Sequence, residues 1–161
     1  MTPQKGNEET RIRMNKQLSV ASDLKKIRHV VDEIIIMLKG LQVDESDMFD
    51  IRLCLEEALI NAIKYGNRFD KDLEVLIDFA CVNDKINISV EDKGTGFDHN
   101  KVPDPTKEEN LLMGNGRGVF LIKHLMDEVR FNKKGNRLTM VKHLKKIKEN
   151  PKETNRKRSL L

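Results

Sequence analysis

The sequence predicts an α/β protein: a two-layer sandwich with helices packed on a mixed, largely antiparallel sheet. Three observations predict it. Two long stretches in the first 66 residues carry apolar residues at helical spacing. Two alternating stretches then follow, joined by the turn pair Asn83-Asp84. A third helical stretch leads into one more alternating segment. Helices interleaved with hairpin-linked strands give mixed strand pairing and not a purely parallel sheet.

Taken in order, apolar residues at Ile12, Met14, Leu18 and Val20 have a period of two and predict the first strand. Ser22 stands where a cap would start a helix, which runs to about Leu38 with Gly40 as its stop. Its stripe is Leu24, Ile27, Val31, Ile34, Ile35 and Leu38. A second helix is predicted from about Asp47 to Tyr65, ended by Gly66, with Met48, Ile51, Leu55, Leu59, Ala62 and Ile63 inward. Strands follow at Leu73 to Val82 and Lys85 to Glu91. In the second, Ile86, Ile88 and Val90 alternate with Asn87, Ser89 and Glu91. Residues 93 to 115 read as a long polar loop, and loops of that length in a compact domain are functional or disordered. A third helix begins near Gly118 and carries Val119, Leu121, Ile122, Leu125, Met126 and Val129; a strand from Arg137 to His143 closes the domain.

The 161 residues suffice for one domain with its own core. Residues 10 to 144 form that domain, and 1 to 9 and 145 to 161 read as disordered tails. Aromatics are 4% with no Trp, so aliphatic side chains fill the interior. Ile34-Ile-Ile-Met-Leu38 is far too short to span a bilayer, and the first twenty residues lack the apolar core of a signal peptide. A cytoplasmic address without membrane contact is expected. Cys54 and Cys81 have neither metal-ligand nor redox spacing and read as buried thiols. His29, His99, His124 and His143 sit in unremarkable contexts. The net charge of +4 is a property of the tail: residues 142 to 161 hold eight Lys or Arg against two Glu, leaving −2 for the remainder. That distribution argues against direct nucleic-acid binding by the body of the protein.

Three segments carry the chemistry. In Glu57-Ala-Leu-Ile-Asn61-Ala-Ile-Lys-Tyr-Gly66, Glu57 and Asn61 lie one helical turn apart on a shared face, flanked by the small Ala58 and Ala62. Mg²⁺ takes hard oxygen ligands, few of them from protein, so the Asn61 amide suits it. Glu57 suits a general base, and Lys64, one turn further on, suits a phosphate. In Glu91-Asp92-Lys-Gly94-Thr-Gly96-Phe97, the Asp92 carboxylate only accepts hydrogen bonds, which matches the exocyclic amine of adenine. Gly94 and Gly96 allow a flat ring to approach. In Gly114-Asn-Gly116-Arg117-Gly118, glycines open a helix whose first amides suit an anion. Each segment also has a plain reading, as a polar helix face, a turn or a hinge.

Together and in this order, the segments resemble the N, G1 and G2 boxes of the GHKL ATPase superfamily. Size, and Leu125-Met-Asp-Glu-Val129 after the G2 box, are closer to its anti-sigma factor serine/threonine kinases, over about Ile12 to Leu144. The resemblance implies a Bergerat-type ATP-binding sandwich that binds ATP and Mg²⁺. It implies sequestration of a sigma factor and phosphorylation of a Ser or Thr on a STAS-domain anti-anti-sigma protein. The alternative is a nucleotide-dependent binding module without kinase activity. Carried over, Glu57 is the base, Asn61 the Mg²⁺ ligand and Asp92 the adenine acceptor. Gly94 and Gly96 shape the adenine pocket, and Gly116 and Gly118 lie at the phosphates beneath a lid of residues 98 to 115. Arg117 is the arginine available to the γ-phosphate, and Arg28 takes the place of a partner-sensing arginine. The Gly-Thr pair of many relatives is replaced by Gly135-Asn136, which leaves Thr139 as the final strand's phosphate-side contact. Dimers are common in the family, so a homodimer is implied as well.

Overall fold

The computed structural model describes residues 11–94 and 114–145. Strand β1 (Ile12–Ala21) leads into helices α1 (Leu24–Gly40) and α2 (Glu45–Asn61), and α2 widens into a π-helical turn, Ala62–Gly66. A hairpin of β2 (Glu74–Val82) and β3 (Lys85–Glu91) follows, then α3 (Gly114–Leu125) and a second hairpin, β4 (Glu128–Phe131) and β5 (Arg137–His143). The sheet order is β1-β2-β3-β5-β4. The sheet, expected as mixed and largely antiparallel, is antiparallel at all four pairings. Because β5 inserts between β3 and β4, those two strands run in the same direction without touching.

The helices cover one face of the sheet. Alternation puts Ile77, Phe79, Ile86, Ile88 and Met140 on that face, fully buried against Ile34 and Leu38 of α1, Ile51, Leu55 and Leu59 of α2, and Ile122 of α3. The other face is a polar row in register across the strands: Gln17, Asp78, Ser89 and Thr139. Beside it Arg137 Nη2 lies 2.8 Å from Asp78 and Nη1 3.0 Å from Glu91.

The boundaries of all three helices differ from expectation. Asp23, not Ser22, caps α1, accepting from the Lys25 amide at 3.0 Å. Ser22 is buried beneath the helix start, and Leu24 is 43% exposed. α2 starts at Glu45 behind the Asp44 cap, which accepts from the Ser46 amide at 2.8 Å. α3 starts at Gly114 and ends at Leu125, so its glycines lie inside the first turns and Val129 belongs to β4. The helical spacing of Val129 was misleading, because Val129 pairs with Met140 and Phe131 with Leu138 across the second hairpin. Both cysteines are buried, and burial pushes the Cys54 thiol up to about 12. Among the described residues no helix is long and apolar enough to cross a membrane. The expected tails lie outside the described residues except for Lys145, whose amide donates to Asp47 at 3.3 Å.

Candidate functional site

α2 presents Glu57 and Asn61 to α3. A Cβ built on Gly118 would stand 2.7 Å from Glu57 Oε2 and 3.0 Å from the Asn61 side-chain amide, so α3 approaches both groups at the distance only glycine permits. The neighbouring Glu56 is occupied elsewhere: it lies 3.7 Å from Arg52, which pairs at 3.0 Å with Asp32 of α1. Of the two adjacent glutamates, Glu56 belongs to this surface ion network and Glu57 faces α3. Ala58 and Ala62 are buried.

Asp92 lies just past the end of β3, at the far end of the π-helical turn. Its Oδ1 accepts from the Gly94 amide at 2.8 Å. A Cβ on Gly66 would collide with the Asp92 carboxyl, and one on Gly94 would collide with the Gly66 carbonyl. These two glycines are what let the turn and the strand end close on each other. Burial is the main influence on the Asp92 carboxyl and raises its pKa above the ordinary carboxylate range, the Gly94 hydrogen bond opposing it. Backbone pairing fixes the strand end, with the Asp92 amide donating to Asn136 O at 2.9 Å and Asn136 Nδ2 donating to Asp92 O at 2.9 Å.

The remaining expected residues are placed as follows. Lys64 sits in the π-helical turn with its ammonium 5.4 Å from the Tyr65 ring centroid. Gly116 and Arg117 lie in the first turn of α3, where helix amides have no intrahelical partner. Arg28 is on the outer side of α1, its side chain 91% exposed and its Nε 4.0 Å from Asp32. Through Asp32 and Arg52 it joins the ion network that reaches Glu56, not Glu57. Gly96 and nearly all of the expected lid lie outside the described residues. Thr139 is not brought to the site. Leu138 and Met140 face the helices, so Thr139 faces the open side of the sheet, where its hydroxyl is 3.0 Å from Ser89 Oγ. A groove of about 1060 Å³ on that open side, lined by Gln17, Asp78, Ser89 and Arg137, contains none of the expected site residues.

A family model for the histidine kinase-like ATPase domain matches residues 19–142. The chain belongs to the histidine kinase-like ATPase family. Within that family it is similar to the serine-protein kinase RsbW of Staphylococcus aureus strains JH9 and Newman, at 35% identity over 108 residues, 62% of this chain and 68% of each relative. Among solved structures it is similar to the RsbU and RsbW domains of Rv1364c from Mycobacterium tuberculosis, with a TM-score of 0.60 and 18% identity. That match covers 81% of this chain and 32% of the other, and it carries the fold alone. The family and the relatives make the chain an anti-sigma factor kinase, a serine/threonine-protein kinase by class.

In this histidine kinase-like ATPase the donor chemistry around Gly118 fits Mg²⁺. A carboxylate and a carboxamide, both carrying oxygen donors, lie side by side against Gly118, and Mg²⁺ takes few protein ligands beside phosphates and water. Among the described residues no group of three or more His, Cys, Asp and Glu forms a metal cluster. Two asparagines that the sequence reading passed over frame Asp92. Asn136 holds its backbone, and Asn67, only 2% exposed, accepts from the next amide, Lys93 N, at 2.7 Å. The available signal was Asn136 in the place of the family's Gly-Thr threonine, and Asn67 directly after the N box.

Proposed function

We propose that this chain binds Mg·ATP in the cleft between α2, α3 and Asp92, and transfers the γ-phosphoryl group to a serine or threonine of a STAS-domain anti-anti-sigma protein. In its other state it sequesters a sigma factor in the cytoplasm, as a homodimer. The approach of Gly118 to Glu57 and Asn61 carries this reading, because it joins the acid, the amide and a helix N-terminus in one place.

Asp92 accepts from the adenine amine while its Oδ1 stays on the Gly94 amide, and Gly94 with Gly96 admits the ring. The amides of the first turn of α3, including Gly116, meet the phosphates, with Arg117 and Lys64 adding charge. Asn61 holds Mg²⁺, which when bound neutralises charge on the β- and γ-phosphates. Glu57 takes the proton of the attacking hydroxyl as its oxygen bonds to the γ-phosphorus and the bond to the ADP oxygen breaks. Arg28, exposed on α1, meets the protein partner.

The test is single-turnover transfer from labelled ATP to a STAS-domain protein. Glu57→Gln is expected to bind Mg·ATP as the wild type does and to lose transfer by at least about 100-fold. Undiminished transfer by that variant, or a wild type that binds ATP but labels no STAS protein, would overturn the catalytic reading.

A further inference from the structure

We propose that Asn67 is a positioning residue for recognition of the nucleotide base. The inference rests on Asp92 as the adenine acceptor, and it adds the group that holds Asp92 in register.

Asn67 follows the π-helical turn directly and is 2% exposed. Both ends of its carboxamide are used. Nδ2 donates to Ser22 Oγ at 2.9 Å and to Glu74 O at 3.3 Å, at the end of β1 and the start of β2. Oδ1 accepts from the Lys93 amide at 2.7 Å, one residue beyond Asp92. Ser22 Oγ passes the tie on to Leu73 O. One buried side chain thus links Ser22 and the start of β2 to the segment that carries Asp92.

The geometry beside it explains why the link matters. Gly66, the residue before Asn67, has its Cα against the Asp92 carboxyl, and Gly94 lies against Gly66 O. The backbone on the far side of Asp92 is held by Asn136. Asn67 and Asn136 therefore hold the strand end from both sides, and among the described residues Asn67 is the side chain that ties it to the turn that walls the carboxylate. A residue at 67 without an acceptor takes away the partner of the Lys93 amide at this part-buried bond, and the strand end is no longer held in place. Such a shift carries the Asp92 carboxylate away from the amine it would accept from. The phosphates are gripped mainly elsewhere, on α2 and α3, away from the Asn67 tie.

Adenine presents an amine where guanine presents a carbonyl oxygen, which a carboxylate repels, so the affinity ratio of ATP to GTP reports the placement of Asp92. The experiment measures Kd for Mg·ATP and Mg·GTP, with melting temperatures, for wild type, Asn67→Ala, Asn67→Asp, Ser22→Ala and Asp92→Asn. Asn67→Ala is expected to lower ATP affinity about tenfold and to leave GTP affinity within about twofold. Asn67→Asp keeps the acceptor for Lys93 N and is expected to regain most of the ratio, although its carboxylate faces carbonyl oxygens and it melts lower than wild type. If Asn67→Ala does not fold, Ser22→Ala, which removes only the hydroxyl partner, is expected to lower the ratio about threefold. An unchanged ATP-to-GTP ratio in Asn67→Ala, or in Ser22→Ala where that variant stands in, overturns the proposal whatever the melting temperature does. So does an Asn67→Asp variant that discriminates no better than Asn67→Ala. A wild type without preference for ATP, or an Asp92→Asn variant that keeps the preference, overturns the Asp92 reading and this inference with it. Wild type and Asp92→Asn behaving as expected beside an unaffected Asn67→Ala overturns this inference alone.

Discussion

Gly118 of α3 and Glu57 of α2 approach so closely that a single added methyl group would stand 2.7 Å from the Glu57 Oε2 atom. The obstacle to that methyl is the far end of a flexible side chain, which can swing aside. Alanine is also the better helix former, by about 1 kcal/mol. Gly118→Ala is therefore expected to melt at or above the wild-type temperature while Glu57 and Asn61 are displaced. Phosphotransfer should fall by about 100-fold or more, since a positioned base contributes on that order. Single-turnover labelling beside a thermal melt separates the two effects; a variant that keeps full transfer would show that the approach has no catalytic meaning.

Asp92 sets recognition against stability. Burial raises its pKa in the folded protein, so the native carboxyl holds its proton more tightly than the unfolded chain does. The associated stability is complete below the ordinary carboxylate value, about pH 4, and is lost as pH rises through the raised native value. Asn carries no charge and escapes this loss. Asp92→Asn is expected to melt above wild type at pH 7, with the gap closing as pH falls toward 4. It should also bind ATP about tenfold more weakly, because its single oxygen must serve both the Gly94 amide and the base. Melting curves across pH, compared with ATP titrations at pH 7, check both parts.

Lys142 anchors the other end of α3. Its ammonium donates to Leu125 O at 2.6 Å and to Asp50 of α2 at 3.1 Å, and its side chain is only 12% exposed. Lys142→Met keeps the stem and removes both bonds, leaving a carbonyl and a carboxylate short of a partner. A loss of about 1–3 kcal/mol in denaturant unfolding is expected. Adding Asp50→Asn should restore part of it, with a coupling of about 0.5 kcal/mol or more. Strict additivity of the two substitutions would contradict the pairing.

Cys54 and Cys81 are buried, with Cys54 held up to about 12 and Cys81 raised in the same direction by burial. Burial disfavours the thiolate of both in the native state, so a disulfide-exchange reagent is expected to label both only in denaturant. Rapid labelling of the native protein would mean that the α2 and β2 interior opens readily.

The helical stripes, the first hairpin and the one-turn spacing of Glu57 and Asn61 were legible in the sequence because each is local. Leu55 and Leu59 are a turn apart whatever surrounds them, as are Glu57 and Asn61, and Ile86, Ile88 and Val90 alternate on any strand. Strand β4 was not legible, because Val129 also continues the spacing of α3 and only its pairing with Met140 makes it a strand. Thr139 was assigned to the phosphates from its chain position, yet in register with Ser89 it faces the open side of the sheet. Asn67 and Asn136 look like ordinary turn residues until long-range hydrogen bonds bring them to either side of Asp92. Sequence by itself determined which chemical groups stand in the candidate site's segments and the local elements that carry them. Tertiary structure decided which side of the sheet each group faces and what holds it there, since both depend on partners dozens of residues away in the chain.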